Sequence, residues 1–362
     1  MGIHHADVIG SLLRPGYLWE AKAALAAGQL TPREFKRIED RAVDQAIAMQ
    51  EGCGLDVVTD GELRRFSFFD NLMGDVEGYT ERLGAHIPFH GPEGDWDWQS
   101  PVCVTGKLRS RRQITIEEFS YARGRATVPV KVTLVSPLFV YTGWAPEVSK
   151  AAYRDAYEMF ADAAAIIKDE VTRLAELGCT YVQIDAPDIG TLVDPENRGM
   201  RESLGMPTER TLTEGIEIVN SVADVPGVTF GLHLCKGNNQ SMWIGTGGYD
   251  VIAEAVFTGL SNFDVFLLEY DDERSGGFEP LTKVPDDKAV VLGLISSKTT
   301  EIEPVEQITA RVHEAANFID LERLGVSTQC GFASVSVGAN HIGEDTQQRK
   351  LELVGQVARA VW

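Results

Sequence analysis

The chain has 362 residues, is 44% hydrophobic and carries a formal net charge of -21. That length suits two average domains or one large α/β barrel, and the apolar share excludes disorder. The acidic balance argues against nucleic acid or an anionic membrane as partner, since both need basic surface, and it permits a homo-oligomer.

Residues 7–11 form a short apolar run ending in Ser11 and read as a strand leading into a loop. The opening stretch has no basic region before a long apolar core, so no signal peptide is expected, and no later run is long enough to span a membrane. Thr31 and Pro32 read as the cap and first position of a helix that runs to about residue 52, with Ile38, Ala42, Ala46 and Met49 at helical spacing. Residues 54–62 read as a strand ending in acidic side chains. From 66 to about 127 the rhythm breaks. This stretch holds Phe, Trp, Gly and Pro, with Thr/Ile alternation at 113–117, and is expected to be an inserted excursion with some antiparallel strand.

Beyond it, strands are expected at 128–137, 178–187, 228–235, 263–269, 289–295 and 324–331. Helices are expected at about 150–177, 211–223, 249–258, 304–319 and 345–361. Eight strands nearly all followed by helices, with no linker that would split the chain, point to a single (β/α)₈ TIM barrel over residues 1–362. An open doubly wound sheet is the alternative, weakened because no Gly-rich phosphate loop follows the early strands.

Active sites of such barrels sit at the C-terminal strand ends. Here those ends carry Ser11, Asp60 and Glu62, Ser136, Asp185, His233 and Cys235, Glu269, Ser296 to Lys298, and Cys330. His233 and Cys235 are two apart and so point to one side of their strand. With Glu269 and Cys330 they make a set of imidazole, carboxylate and two thiols that suits zinc, with the carboxylate as the displaceable ligand. Cys53, Cys103 and Cys179 read as ordinary buried residues. Five cysteines, odd in number and sparse, do not look like a disulfide framework, which places the protein in a reducing cytoplasm.

Ile9-Gly-Ser11, Asp60-Gly-Glu62, Gln183-Ile-Asp185, His233-x-Cys235, Glu269 and Gln329-Cys-Gly331 occur in an order that resembles the C-terminal catalytic barrel of cobalamin-independent methionine synthase. The resemblance runs from about residue 5 to 360, without that family's duplicated N-terminal barrel. It implies a zinc ion held by His233, Cys235, Cys330 and, at rest, Glu269. It also implies a small-molecule thiol, homocysteine, that takes a methyl group from a donor to give methionine. Glu62 and Asp185 would hold the homocysteine ammonium, and backbone amides near Ile9 and Ser11 its carboxylate.

The chain departs from that pattern on the donor side. It reads Asp185-Ala-Pro187 where the full-length synthases have Asp-Glu-Pro, lacks their Trp after the third strand, and has no counterpart to their Arg/Pro-rich folate-contact segment. In place of their proton-donating His it has Ser296-Ser-Lys298, which makes Lys298 the candidate to assist the leaving group. The donor is a methylated folate or another methyl carrier. A related enzyme, epoxyalkane:coenzyme M transferase, opens an epoxide with a zinc thiolate and is the alternative function. Two carboxylates facing its sulfonated thiol would repel it. A zinc- or thiol-binding barrel without catalysis is the alternative of another class.

Overall fold

The structure is a computed structural model that describes residues 3–92, 94–335 and 339–362. Among these, β5 (Lys131–Val135), β6 (Tyr181–Asp185), β7 (Thr229–Leu234), β8 (Val265–Glu269), β9 (Ala289–Ile295) and β10 (Leu324–Thr328) form one parallel sheet in sequential order. Every residue of β5, β6, β8 and β10 is buried. That pattern belongs to parallel strands covered on both faces.

Two early segments close the ring. Asp7 N donates to Val326 O and Val326 N to His5 O, joining the first segment to β10. Asp56 N donates to Ala6 O, and Lys131 N to Val58 O, so the second segment links the first to β5. Both pair as single bridges rather than ladders, yet the eight expected segments form a closed barrel. Its lower interior is plugged by polar groups: Lys131 Nζ lies 2.7 Å from Asp7 Oδ1 and 2.6 Å from Gln183 Oε1. The pairing leaves these buried charges satisfied.

The helix Pro32–Gly52 begins with a reciprocal capping box between Thr31 and Glu34. The helix Ala156–Glu176 starts later than its apolar pattern suggests, because Asp155 accepts from Glu158 N and fixes the start there. Among the described residues no helix is long and apolar enough to cross a membrane.

The stretch after the second segment holds β1 (Val76–Glu81) paired antiparallel with β4 (Val102–Ser110), and a hairpin of β2 (His86–Phe89) and β3 (Trp96–Gln99). The strand expected at 113–117 is instead the start of a helix, Ile114–Ala122. Thr115, Glu118, Phe119 and Ala122 are its buried face, a helical spacing that outweighs the short Thr/Ile alternation. Paired hydrogen bonds between His90 and Trp243 dock the hairpin onto the loop after β7. This brings the excursion over the C-terminal mouth of the barrel.

Candidate functional site

The strand β7 delivers His233, Cys235 follows directly on it, and Cys330 follows β10. One ligand atom from each lies within 4.8 Å of the others, and all three residues are buried. Neither ring nitrogen of His233 has a hydrogen-bond partner. A buried imidazole left bare on both sides is costly unless something binds it. Ligands around one tetrahedral ion stand roughly 3.5–3.8 Å apart, so this set can close on a cation that accepts both nitrogen and sulfur. The Cys330 thiol is held well below its ordinary range by the Cys235 contact and by His233. The same contact, with burial, pushes Cys235 up.

Glu269, at the end of β8, lies outside that three-atom cluster. Its Oε1 accepts from Arg274 Nη2 at 2.9 Å and Lys298 Nζ at 3.1 Å, and its Oε2 from Lys236 N at 2.7 Å. Burial works to raise its pKa, but Lys298, Lys236 and Arg274 together hold it down to about 2. Lys298 Nζ also binds Asp271 Oδ2 at 3.1 Å. Burial works to lower its pKa, but Asp271 and Glu269 outweigh burial and raise it. The structure does not bring Lys298 to the wall of the cavity described below; it places it behind Glu269 as a fixed cation.

Glu62 and Asp185 do meet at the mouth with the three ligands. Glu62 is buried with a left-handed backbone, φ 55°, a strained state for a non-glycine residue. Asp60 Oδ1 accepts from Glu62 N at 2.9 Å and Arg14 Nη2 donates to Glu62 O at 2.7 Å, which hold that turn. Thr133 Oγ1 donates to Glu62 Oε1 at 2.7 Å, while Oε2 is buried with no partner. Gln183 Nε2 donates to Asp185 Oδ1 at 2.7 Å. Burial raises the pKa of both carboxyls, and each feels or adds to a neighbouring negative charge. Among the described residues the one ion pair to the Glu62 carboxylate is Arg65 at 4.0 Å, which is committed to Glu118 at 2.7 Å, and Arg14 adds a weaker pull.

Two glycines make this convergence possible. A Cβ on Gly10 would lie 2.8 Å from Glu62 Oε1, and one on Gly331 would lie 2.1 Å from Ser11 Oγ. The Ile9-Gly-Ser11 and Cys330-Gly331 turns therefore pack against each other and against Glu62 without room for a side chain.

A cavity of about 470 Å³ opens above these groups, lined by Ile9, Ser11, Glu62, Asp185, His233, Cys235 and Cys330 at one end. Sequence reasoning missed the other end. Phe68, Phe69, Phe139 and Tyr141 line it with Trp98 of β3, and the three phenylalanine rings lie 5.1–5.3 Å apart between centroids. The aromatic enrichment of the excursion was the available signal. Asp188 was missed as well. It is buried, accepts from Ser136 Oγ at 2.9 Å, and has an unpartnered Oδ1. Burial raises its pKa to about 6, opposed by Arg201. Asn238, another lining residue, donates to Gly331 O at 2.8 Å and so ties the β7 loop to the β10 loop.

Residues 6–341 match the catalytic domain of the cobalamin-independent synthases. The chain belongs to that family. It is 37% identical to an uncharacterised protein, YxjH, of Bacillus subtilis, over 99% of this chain and 94% of that protein. It is 24% identical to the methionine synthase of Saccharolobus solfataricus, over 91% of this chain and 88% of that protein. A solved structure from Listeria monocytogenes, provisionally named a vitamin-B12-independent methionine synthase, superposes with a TM-score of 0.74 at 26% identity, covering 100% of this chain and 99% of that one. A B12-independent methionine synthase from Shewanella sp. W3-18-1, solved in complex with selenomethionine, gives a TM-score of 0.76 at 19% identity, covering 99% and 98% of the two chains. These likenesses place the barrel among the catalytic domains of cobalamin-independent synthases.

Proposed function

We propose that this member of the family is a zinc-dependent, cytoplasmic methyltransferase that methylates the thiol of homocysteine to give methionine. The observation that carries the reading is the joint presence, in one cavity, of the bare His233–Cys235–Cys330 set and two buried carboxylates short of counter-charge. When bound there, zinc would favour the thiolate form of an incoming thiol at neutral pH.

The chain's own residues do the rest. His233, Cys235 and Cys330 would hold the ion. Glu269 keeps an open lone pair on Oε2 after its bond from Lys236 N, so it remains the displaceable fourth ligand in this reading. Arg274 and Lys298 keep it ionised. Glu62 and Asp185 would take the substrate ammonium, relieving two buried carboxyls at once. Ile9 and Ser11 would border the substrate carboxylate. Orientation of the thiol in this way contributes several kcal/mol to a transfer step. A sulfonated thiol such as coenzyme M would meet the same carboxylates and be repelled.

The test measures metal content and product together. Gently purified protein should carry about one zinc per chain, and homocysteine with a suitable methyl donor should give methionine, detected by mass. Zinc-free protein that folds normally, or zinc-loaded protein that methylates no thiol, would overturn the reading.

A further inference from the structure

The two ends of the cavity differ in chemistry. The metal end carries acids and thiols, while the far end is walled by Phe68, Phe69, Phe139, Tyr141, Trp98 and Met73. No Lys or Arg lines the cavity among the described residues. The charged lining residues are Glu62, Asp70, Asp185 and Asp188, all acidic. Arg201 stands with its guanidinium 3.9 Å from the Tyr141 ring centroid, outside the lining, where it offsets Asp188. His233 is the one lining histidine, and it belongs to the metal set. Lys298 is held in ion pairs away from the wall.

Such a wall does not fit a net-anionic donor such as one with a polycarboxylate tail, because no cation meets it. It offers no lysine or uncommitted histidine to protonate an amine as it leaves. It does fit a positive charge flanked by apolar groups, which aromatic faces attract. Resting on the methyl transfer to a thiol proposed above, we propose that the aromatic end binds a sulfonium methyl donor and presents its methyl carbon to the acceptor sulfur. In the transfer the acceptor thiolate forms the new C–S bond as the donor S–CH3 bond breaks. The bonding pair stays on the donor sulfur, which leaves as a neutral sulfide. One negative and one positive charge cancel, no proton moves, and nothing is oxidised or reduced. A wall without a lysine or an uncommitted histidine is sufficient for this chemistry.

The zinc-loaded full chain is tested with homocysteine and trideuteromethyl-labelled donors: S-methylmethionine and dimethylsulfonioacetate as sulfoniums, glycine betaine as a quaternary ammonium, and 5-methyltetrahydrofolate with one and with three glutamates. Labelled methionine is read by mass. The sulfoniums should give a kcat/KM roughly tenfold or more above the other donors. Phe139→Leu and Trp98→Leu should each raise the sulfonium KM by roughly two- to thirtyfold, with zinc content at the wild-type level. Trp98 lies on a half-buried hairpin, so that variant keeps the test intact if Phe139→Leu fails to fold. A folate or betaine kcat/KM equal to or above that of the sulfoniums overturns the donor class and leaves methyl transfer to homocysteine standing. Labelled methionine from none of the donors overturns both. Unchanged sulfonium KM in both variants also overturns the aromatic site.

Discussion

Lys298 Nζ lies 3.1 Å from Glu269 Oε1, and both side chains are buried. The pair decides between two functions for the lysine. A proton donor to a leaving group contributes roughly 100-fold or more to rate. A brace for Glu269 contributes mainly to the fold and to the charge of that carboxylate. Lys298→Met should therefore lower stability by about 2–4 kcal/mol, because Glu269 and Asp271 lose a shared counter-charge. It should lower kcat less than roughly tenfold, well short of the loss expected for an acid. Denaturant titration and steady-state rates on the same preparation check both numbers.

The cysteines separate into two kinds by their surroundings. Burial pushes the Cys53 thiol up to about 12 and the Cys179 thiol up to about 11, so both are inert. Cys235 and Cys330 meet beside His233, and their contact pulls the Cys330 thiol down and pushes the Cys235 thiol up. Cys235→Ser, Cys330→Ser and His233→Asn should each lose zinc by more than roughly tenfold in affinity, since three remaining groups no longer close a tetrahedron. Cys53→Ser should keep wild-type zinc. Metal analysis with circular dichroism to verify folding distinguishes the two classes, and zinc retention by Cys330→Ser would count against the set.

Glu62 and Asp185 carry opposite demands. In the free protein they are buried carboxyls whose ionisation burial opposes; with a bound ammonium they become its partners. Glu62→Gln and Asp185→Asn should therefore raise the thermal midpoint of the free protein while weakening homocysteine by roughly 30-fold or more. A thiol that lacks the amino group should bind wild type and variants alike. Calorimetry of binding and thermal unfolding, taken together, expose the sign difference. A variant that loses stability and keeps homocysteine affinity would show that these carboxylates serve the fold.

Much of this was legible in the sequence, for identifiable reasons. Strands buried on both faces are apolar runs, and their polar ends stand out, so Asp185, His233, Cys235 and Cys330 could be placed at one rim before any coordinates. The first two barrel segments were legible although they pair by single bridges, because Val8 and Val58 still sit in short apolar runs. Helix Ile114–Ala122 was not, since five alternating residues look alike in either period until the buried positions 115, 118, 119 and 122 are known. The engagement of Lys298 was hidden because Asp271 and Arg274 lie in a loop whose path no local pattern fixes. The aromatic wall was hidden for the same reason: Trp98 and Phe139 are 41 positions apart and meet only when the hairpin docks on the loop after β7.

Asp188 gives the last prediction. Its carboxyl is fully buried, is bonded by Ser136 Oγ, and is raised by burial from an ordinary 3.8 to about 6, against the pull of Arg201. Well below 3.8 it is protonated in both folded and unfolded chains and contributes no pH dependence. As pH rises from about 4 to 6 the unfolded chain releases the proton first, so wild-type stability falls across that window; above it the penalty is constant. The full rise from 3.8 to about 6 corresponds to about 3 kcal/mol. Asp188→Asn keeps an acceptor for Ser136 but has no proton to lose. The stability of Asp188→Asn relative to wild type should therefore increase by about 2 kcal/mol between pH 4 and pH 7. All other carboxyls titrate alike in the two proteins and cancel in the difference. Urea titrations at four pH values across that range measure it. A flat difference would mean that the Asp188 carboxyl is ionised throughout, stabilised by Arg201 more strongly than burial opposes it.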